Sequence, residues 1–388
     1  MHWARWSQGA GRPYTIGVEE EVMLLDSSDH SLVPSSESVL GRLPDELSKH
    51  TSLETHASVI ELATGIHSDV AGAVAELTSL RGQLARELRQ MGLAAASAGT
   101  YPLARLRETH VSQGARYRGI ADSMRFLALR DPTFALHIHI GVPDPDNAIR
   151  LLNGLRDAVP LLLALSANSP FCQGRDSGFA SARTMIFQGF PRTGTARPFS
   201  GYTEYIDAVD ALIASGALPD PSYLWWDVRL QPVLGTVEVR VMDAQTTVGD
   251  TAALLALVHA LARLQLEGEP LEGAIAPEVL AENRFLAARD GLDARLIDPV
   301  KRRLVPARVL LDALLARCRA HTDAVGSVEL DRIMRLVAAN GADRQRSWAR
   351  NGGIAEVASM LTQRFGAPSG RLVSDRLAHS TERSFASA

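Results

Sequence analysis

The segment from Thr15 to Asp26, TIGVEEEVMLLD, alternates apolar and polar residues like a strand yet carries three consecutive glutamates. Side chains two apart in a strand share a face. Glu19 and Glu21 therefore point one way with Gly17, while Val18, Val22 and Leu24 point the other. Glu20 falls on the apolar side, and the pattern gives no account of it. Three more stretches split in the same manner. In LETHASVIELA (Leu53 to Ala63), Val59 and Glu61 oppose Ile60 and Leu62. In FALHIHIGV (Phe134 to Val142), His137 and His139 oppose Leu136, Ile138 and Ile140. In TVEVRVM (Thr236 to Met242), Glu238 and Arg240 oppose Val237, Val239 and Val241.

An antiparallel sheet covered by helices on one side leaves its other side open, and here that side would gather glutamates, histidines and an arginine. With a rise of ~3.3 Å per residue, same-face carboxylates lie about 7 Å apart, where they repel and shift upward in pKa unless a cation neutralises them. Carboxylates with at most a histidine form a hard ligand set, which suits Mg2+ or Mn2+ better than zinc. Magnesium points to phosphate chemistry, with Glu238 holding metal and Arg240, on the same face, gripping a phosphoryl oxygen. Taken singly, each stretch has an ordinary reading. Strand acids are usually solvated, a His-x-His is as often a structural pair, and a Glu-x-Arg is often a salt-bridged edge. Trp225 and Trp226 in LWWDVRL read first as core, although one of them, with Trp226 the candidate, suits an adenine face. Recurrence across four stretches is what points to a site.

The elements that must position these residues follow from the remaining pattern. Leu77, Leu80, Leu84 and Leu88 repeat at helical spacing, as do AIRLLNGLRDAVPLLLAL, EYIDAVDALIA, TAALLALVHALARLQL, VLLDALLARC and LDRIMRLVAAN. The C-terminal third thus reads as almost entirely helical. Without internal repeats or a Pro/Ser-rich linker, the chain implies one α+β domain over residues 14–365, a flexible segment at 1–13 and a polar tail at 366–388. NSPFCQGRDSGFASARTMIFQGFPRTGTARP, from Asn168 to Pro198, reads as a long functional loop. Its Arg175, Arg183, Arg192 and Arg197 face only Asp176, an excess that suits an anionic ligand.

Composition sets outer bounds. The 388 residues are 46% hydrophobic and 22% charged with a net charge of -4, which fits a globular fold and argues against an electrostatic nucleic-acid binder. Cys172 and Cys318 form neither a disulfide framework nor a zinc pattern, as in a reducing cytoplasm. MHWARWSQGAGRP lacks the apolar core of a signal peptide, and AVPLLLALSA falls short of the ~20 residues of a membrane span. A soluble cytoplasmic protein is expected. Walker A, Gly-x-Gly-x-x-Gly and Gly-x-Ser-x-Gly patterns are absent from the sequence. Metals and arginines must then hold any nucleotide phosphates.

The blocks GVEEE, ELATG, HIHIGV, SANSPFCQGRDSGFASAR, WWDVRLQPVLGTVEVRVMD and NRFLAARDGLDARLIDP, in that order, resemble those of the YbdK-type carboxylate-amine ligases, the type 2 glutamate-cysteine ligase family. The resemblance implies a glutamine-synthetase-like fold: a curved, largely antiparallel sheet with helices on its convex side and the active site on its concave face. It implies use of ATP and Mg2+ to phosphorylate the side-chain carboxylate of glutamate, followed by attack of an amine such as cysteine on the acyl phosphate. Position by position, it implies Glu19, Glu21, Glu54, Glu61, His139 and Glu238 as metal ligands and Arg240 as the phosphoryl-binding arginine. Arg183 is implied as a contact to substrate or phosphate, with His137 a lesser candidate. Partners would be small-molecule substrates and a second copy in a homodimer, not nucleic acid or membrane. Cys172 departs from the family block, which carries a larger residue there, often Trp, and the change would reshape the acceptor side. Two other readings stand beside this one: a guanidino phosphotransferase of similar fold, whose blocks are absent, and a metal-nucleotide binding module, against which the retained acids weigh.

Overall fold

The structure, a computed structural model, describes residues 2–7, 13–103, 109–268, 275–322 and 329–367. Its centre is a seven-stranded sheet. The strands are β1 (Ile16–Asp26), β2 (Thr51–Leu53), β3 (Val59–Ala63), β4 (Leu93–Ala96), β5 (Ala135–Gly141), β6 (Val228–Gln231) and β7 (Thr236–Asp243). Their order is β6-β7-β5-β1-β3-β2, with β4 taking over beside β1 where β3 ends. Every pair in this sheet is antiparallel.

Six helices matter for the site: α1 (Val70–Gln90), α2 (Ala115–Met124), α3 (Pro145–Ser166), α4 (Ala182–Phe187), α5 (Val248–Glu267) and α6 (Gly341–Phe365). α1 buries Leu77, Leu80, Leu84 and Leu88 as one stripe, and its orphan amide at Gly72 is capped by Asp69 at 2.8 Å. α3 starts at Pro145 behind an Asp144 cap. α5 is buried nearly all round, as expected of a helix enclosed by other elements. The sheet's apolar face (Val18, Val22, Ile60, Leu62, Ile138, Ile140, Val237 and Val239) joins these helices in a single core cluster. Each such buried aliphatic stabilises the fold by about 1.5–3 kcal/mol, and this side is what holds the other face in register.

The fold class is the α+β arrangement expected, but helices are not confined to one face: α6 packs through Trp348, Val357 and Leu361 on Met23, Leu25, Val59 and Ala96, and α2 lines the ionisable face with Arg116, Tyr117 and Ile120. Several boundaries differ. The stretch Leu53 to Ala63 is not one strand: β2 and β3 pair antiparallel through a connection that contains Glu54. The C-terminal third is interrupted by a hairpin, Arg295–Asp298 with Arg303–Pro306, whose turn is tied by Asp298 accepting from the amides of Val300 and Lys301. Asn168 to Pro198 is no bare loop; it holds a small hairpin and α4. In the segment expected to be flexible, residues 2–7 are docked. Trp6 Nε1 donates to Val142 O at 3.0 Å, the Tyr202 hydroxyl donates to Ala4 O at 2.8 Å, and Trp3 and Trp6 pack on the core. Residues 8–12 and nearly all of the predicted tail, from 368 on, lie outside the described residues. No helix among the described residues is long and apolar enough to cross a membrane.

Candidate active site

The strand register brings the ionisable residues together. Across the sheet Glu19 pairs with His137, Glu21 with Glu61, Gly17 with His139, and Glu238 with both His139 and Arg229. With Glu54, Arg183 and Arg240 these side chains line a hollow of about 340 Å3 whose remaining walls include Arg116, Tyr117, Phe187, Phe190 and Trp225. A second hollow of about 380 Å3, lined mainly by the ends of β1, β3 and β5 and the β6–β7 turn, adjoins it and shares Glu19 and His139.

Among the described residues, two sets of donor atoms lie within 4.8 Å of one another: Glu19, His139 and Glu238, and Glu19, Glu61 and His137. His139 Nδ1 is 3.0 Å from Thr236 Oγ1, which turns Nε2 toward Glu19 at 3.3 Å and Glu238 at 4.0 Å. A hydroxyl partner on one ring nitrogen presents the other as a lone pair. His137 Nδ1 is 3.2 Å from Glu19, and its buried Nε2 has no hydrogen-bond partner. Carboxylates with imidazole nitrogens, the buried Nε2 of both His137 and His139 without a hydrogen-bond partner, fit a hard divalent cation.

The electrostatics agree with that fit. Burial, followed by repulsion from Glu19, Glu54 and Glu21, raises the Glu61 carboxyl well above its ordinary range. Burial and then Glu54 push Glu21 up to about 7, against Arg183 and Arg240. Burial also raises Glu54, over the opposing Thr55 amide and Arg240. Glu19 goes the other way: burial pushes it up, but His139 and His137 outweigh that and hold it low. The same contest leaves Glu238 well below its usual range, because Arg229 and Arg240 overcome its burial.

Arg240 sits on a β-bulge. The β5–β7 register shifts between Val239 and Met242, while on the other side the Arg240 amide bonds to Asp227 O at 2.8 Å and extends the β6–β7 pairing by one residue. Bulges beside active sites re-aim side chains, and here Nη1 of Arg240 pairs with Glu238 Oε1 and lies 3.4 Å from His137 Nδ1. Arg183, from α4, donates to Val241 O at 3.0 Å and to Arg240 O at 3.2 Å, so it clamps the bulge as well as lining the hollow. The other oxygen of Glu238 takes Arg229 at 3.0 and 2.8 Å and Gln231 at 2.6 Å. Sequence reasoning missed Arg229 and Gln231. The signal was present: in VRLQPVLGTVEV the turn before Thr236 sets Arg229 opposite Glu238.

Not every expected residue joins the donor sets. Glu21 and Glu54 line the hollow but lie outside both sets; Glu21 accepts from the Ala135 amide at 2.7 Å and Glu54 from the Thr55 amide at 3.0 Å. Trp226 does not line the hollow. Adjacent strand residues face opposite ways, so Trp226 packs with Phe199 and Tyr205 while Trp225 takes the aromatic wall beside Phe187 and Phe190. Of the four arginines between Asn168 and Pro198, Arg183 alone lines the hollow; Arg197 pairs with Glu204, Arg192 lies over Trp225 and Arg175 is exposed. Cys172 is one step removed from the wall, its Sγ 3.7 Å from Asp131, which does line it.

This architecture is shared with solved ligases. The Francisella tularensis glutamate-cysteine ligase, solved in complex with AMP, superposes with a TM-score of 0.68 at 13% identity over 92% of this chain and 90% of that one. A bifunctional glutathione synthetase from Pasteurella multocida gives 0.67 at 13% identity, over 91% of this chain and 52% of that one. At such identity the likeness speaks to fold alone, and the fold is the one those two proteins share. Sequence carries the finer assignment. Residues 15–359 match glutamate-cysteine ligase family 2, and the chain belongs to that family. A protein of Rubrobacter xylanophilus provisionally named glutamate-cysteine ligase 2-1 is 40% identical over 354 residues, 90% of this chain and 94% of its own. One from Gloeobacter violaceus, provisionally named glutamate-cysteine ligase 2, is 36% identical over 86% of this chain and 91% of its own. The protein is thus an ATP-dependent ligase that forms carbon-nitrogen bonds.

Proposed function

We propose that the protein activates the side-chain carboxylate of glutamate as an acyl phosphate and joins it to an amine such as cysteine. The observation that carries this reading is the convergence of Glu19, Glu61, Glu238, His137 and His139 from four strands beside Arg240. Glu19, His139 and Glu238 would hold one Mg2+, or Mn2+, and Glu19 and Glu61, with Glu21 and Glu54 alongside, would hold further metal. A divalent cation bound there supplies the positive charge that screens phosphoryl oxygens as they approach an anionic acid.

The chain's own residues do the positioning. The second hollow takes the nucleoside, because it meets the acid hollow at Glu19 and His139 and so puts the phosphates among the metal ligands. Arg240 grips the transferring phosphoryl group, kept in aim by Arg183, and Glu238 is steadied by Arg229 and Gln231. A carboxylate oxygen of the acid attacks the γ-phosphorus and ADP leaves. The amine nitrogen then attacks the acyl carbon, phosphate leaves, and the proton passes to one of the acids of the floor. No covalent nucleophile of the protein is required.

The test is incubation with Mg2+, ATP, glutamate and a panel of amines, following ADP, phosphate and product mass. A new amide with equimolar phosphate is the expected result. A stable phosphorylated acceptor would mark a phosphotransferase instead, and bound but unconsumed ATP a binding module.

A further inference from the structure

Four arginines line the acid hollow: Arg116, Arg183, Arg229 and Arg240. Three already have acidic neighbours. Arg229 and Arg240 both pair with Glu238, and Arg183 lies 3.8 Å from Asp243. Arg116 differs: it is exposed, and among the described residues no carboxylate lies within salt-bridge distance of it, although its charge reaches Glu54 at longer range and there opposes the burial that raises that carboxyl. Its Nη1 donates to Ser222 Oγ at 2.9 Å, and its guanidinium lies 5.0 Å from the centre of the Tyr223 ring. Those contacts orient the charge without neutralising it.

The support beneath it is fixed. α2 is tied to the edge of the sheet by the Tyr117 hydroxyl, which donates to Leu53 O at 2.5 Å, and is seated in the core by Ile120 and Met124. Arg116, Tyr117 and Ile120 all line the hollow, together with Ser222 and Trp225. The floor below carries Glu21, Glu54 and Glu61. An amino-acid substrate entering this space brings a carboxylate that takes no part in the reaction, and the acids repel it. Of the four lining arginines, Arg116 is the one with no carboxylate at salt-bridge distance among the described residues, and its exposure leaves it open to an incoming one.

We propose that Arg116 is a specificity-determining residue that holds the non-reacting carboxylate of an amino-acid substrate through the planar, two-pronged pairing of guanidinium and carboxylate. This rests on the ligase reading, in which the activated acid and its amine partner are the two sources of such a group. The probes are glutamate against 4-aminobutyrate, which lacks the α-carboxylate, and cysteine against cysteamine, which lacks its own. For one pair the wild-type protein should favour the carboxylate-bearing member at least about tenfold in kcat/KM. Arg116→Ala should collapse that ratio toward one, mainly through KM, and Arg116→Lys should restore part of it. The pair affected identifies the source. Ratios unchanged in Arg116→Ala, or an equal loss for both members of each pair, would overturn the proposal. If the wild-type protein forms no ADP with any pair, the ligase reading fails. Calorimetric titration with the same four compounds then still decides the role of Arg116, because equal affinities in the wild-type protein and Arg116→Ala would refute it.

Discussion

The two faces of β1 carry the same residue type under opposite conditions. Glu20, on the helix side, is 0% exposed and fully met: Arg81 Nε and Nη2 donate to its two oxygens at 2.7 and 2.9 Å, and the Thr251 hydroxyl adds a third bond at 2.7 Å. Arg81 in turn donates to the carbonyls of Thr246 and Gln245 and lies over the ring of Phe365. That cluster joins β1 to α1, α5 and α6. Glu21 and Glu61, on the other face, have no arginine or lysine within salt-bridge distance among the described residues, and burial followed by repulsion from neighbouring acids (Glu54 for Glu21; Glu19, Glu54 and Glu21 for Glu61) raises both carboxyls. An internal acid supplied with its own cation is architecture. A row of acids left short of cations is a demand on something from outside.

The contrast can be broken from its structural side first, where the largest effect is expected. Arg81→Ala strands Glu20 as an unpaired buried charge, which should cost about 3–5 kcal/mol in urea denaturation. Replacing both partners at once, Glu20→Leu with Arg81→Met, should recover most of that loss. Wild-type stability in Arg81→Ala would erase the distinction between the faces. On the site side, Arg240→Ala leaves Glu238 held by Arg229 and Gln231. Turnover should fall about 10²- to 10³-fold with the circular dichroism spectrum unchanged, and full activity would sink the assignment of Arg240.

Glu61→Gln sharpens the contrast by reversing its sign. Removing a repelled acid should stabilise the metal-free protein while weakening Mg2+ binding at least about tenfold, since even outer-shell changes at metal sites cost that much; calorimetry and thermal melts read both. The smallest effect is in pH. Glu21 titrates near 7 when folded and near 4.5 when unfolded. Between those values the folded chain keeps a proton that the unfolded chain gives up, so metal-free stability falls as pH rises through the window. Glu21→Gln should flatten that slope. An unchanged slope in the variant would show that Glu21 does not titrate there.

Much of this was legible because strand periodicity is a local property. Glu19, Glu61, His139 and Glu238 could be sorted by face from alternation alone, and the apolar partners in each stretch fixed which face the helices cover. What escaped depends on distant pairing. Glu20 could not be understood without Arg81, which arrives from another element 61 positions along the chain. Trp225 and Trp226 form a two-residue strand, too short for its faces to be told apart by pattern, so the sequence does not reveal that Trp225 is the one on the hollow. The excess of arginine between Asn168 and Pro198 suggested a cluster, yet a local count says nothing of direction, and the chain sends those side chains to separate places. Glu54 lies in the connection between β2 and β3, where no period applies.

The clamp from Arg183 onto the carbonyls of Val241 and Arg240 has an evolutionary consequence. It makes Arg183 answerable for the aim of a guanidinium 57 residues along the chain. Drift at Arg175 or Arg197 should be nearly free among descendants of this chain, whereas a change at Arg183 would need a compensating substitution along β7.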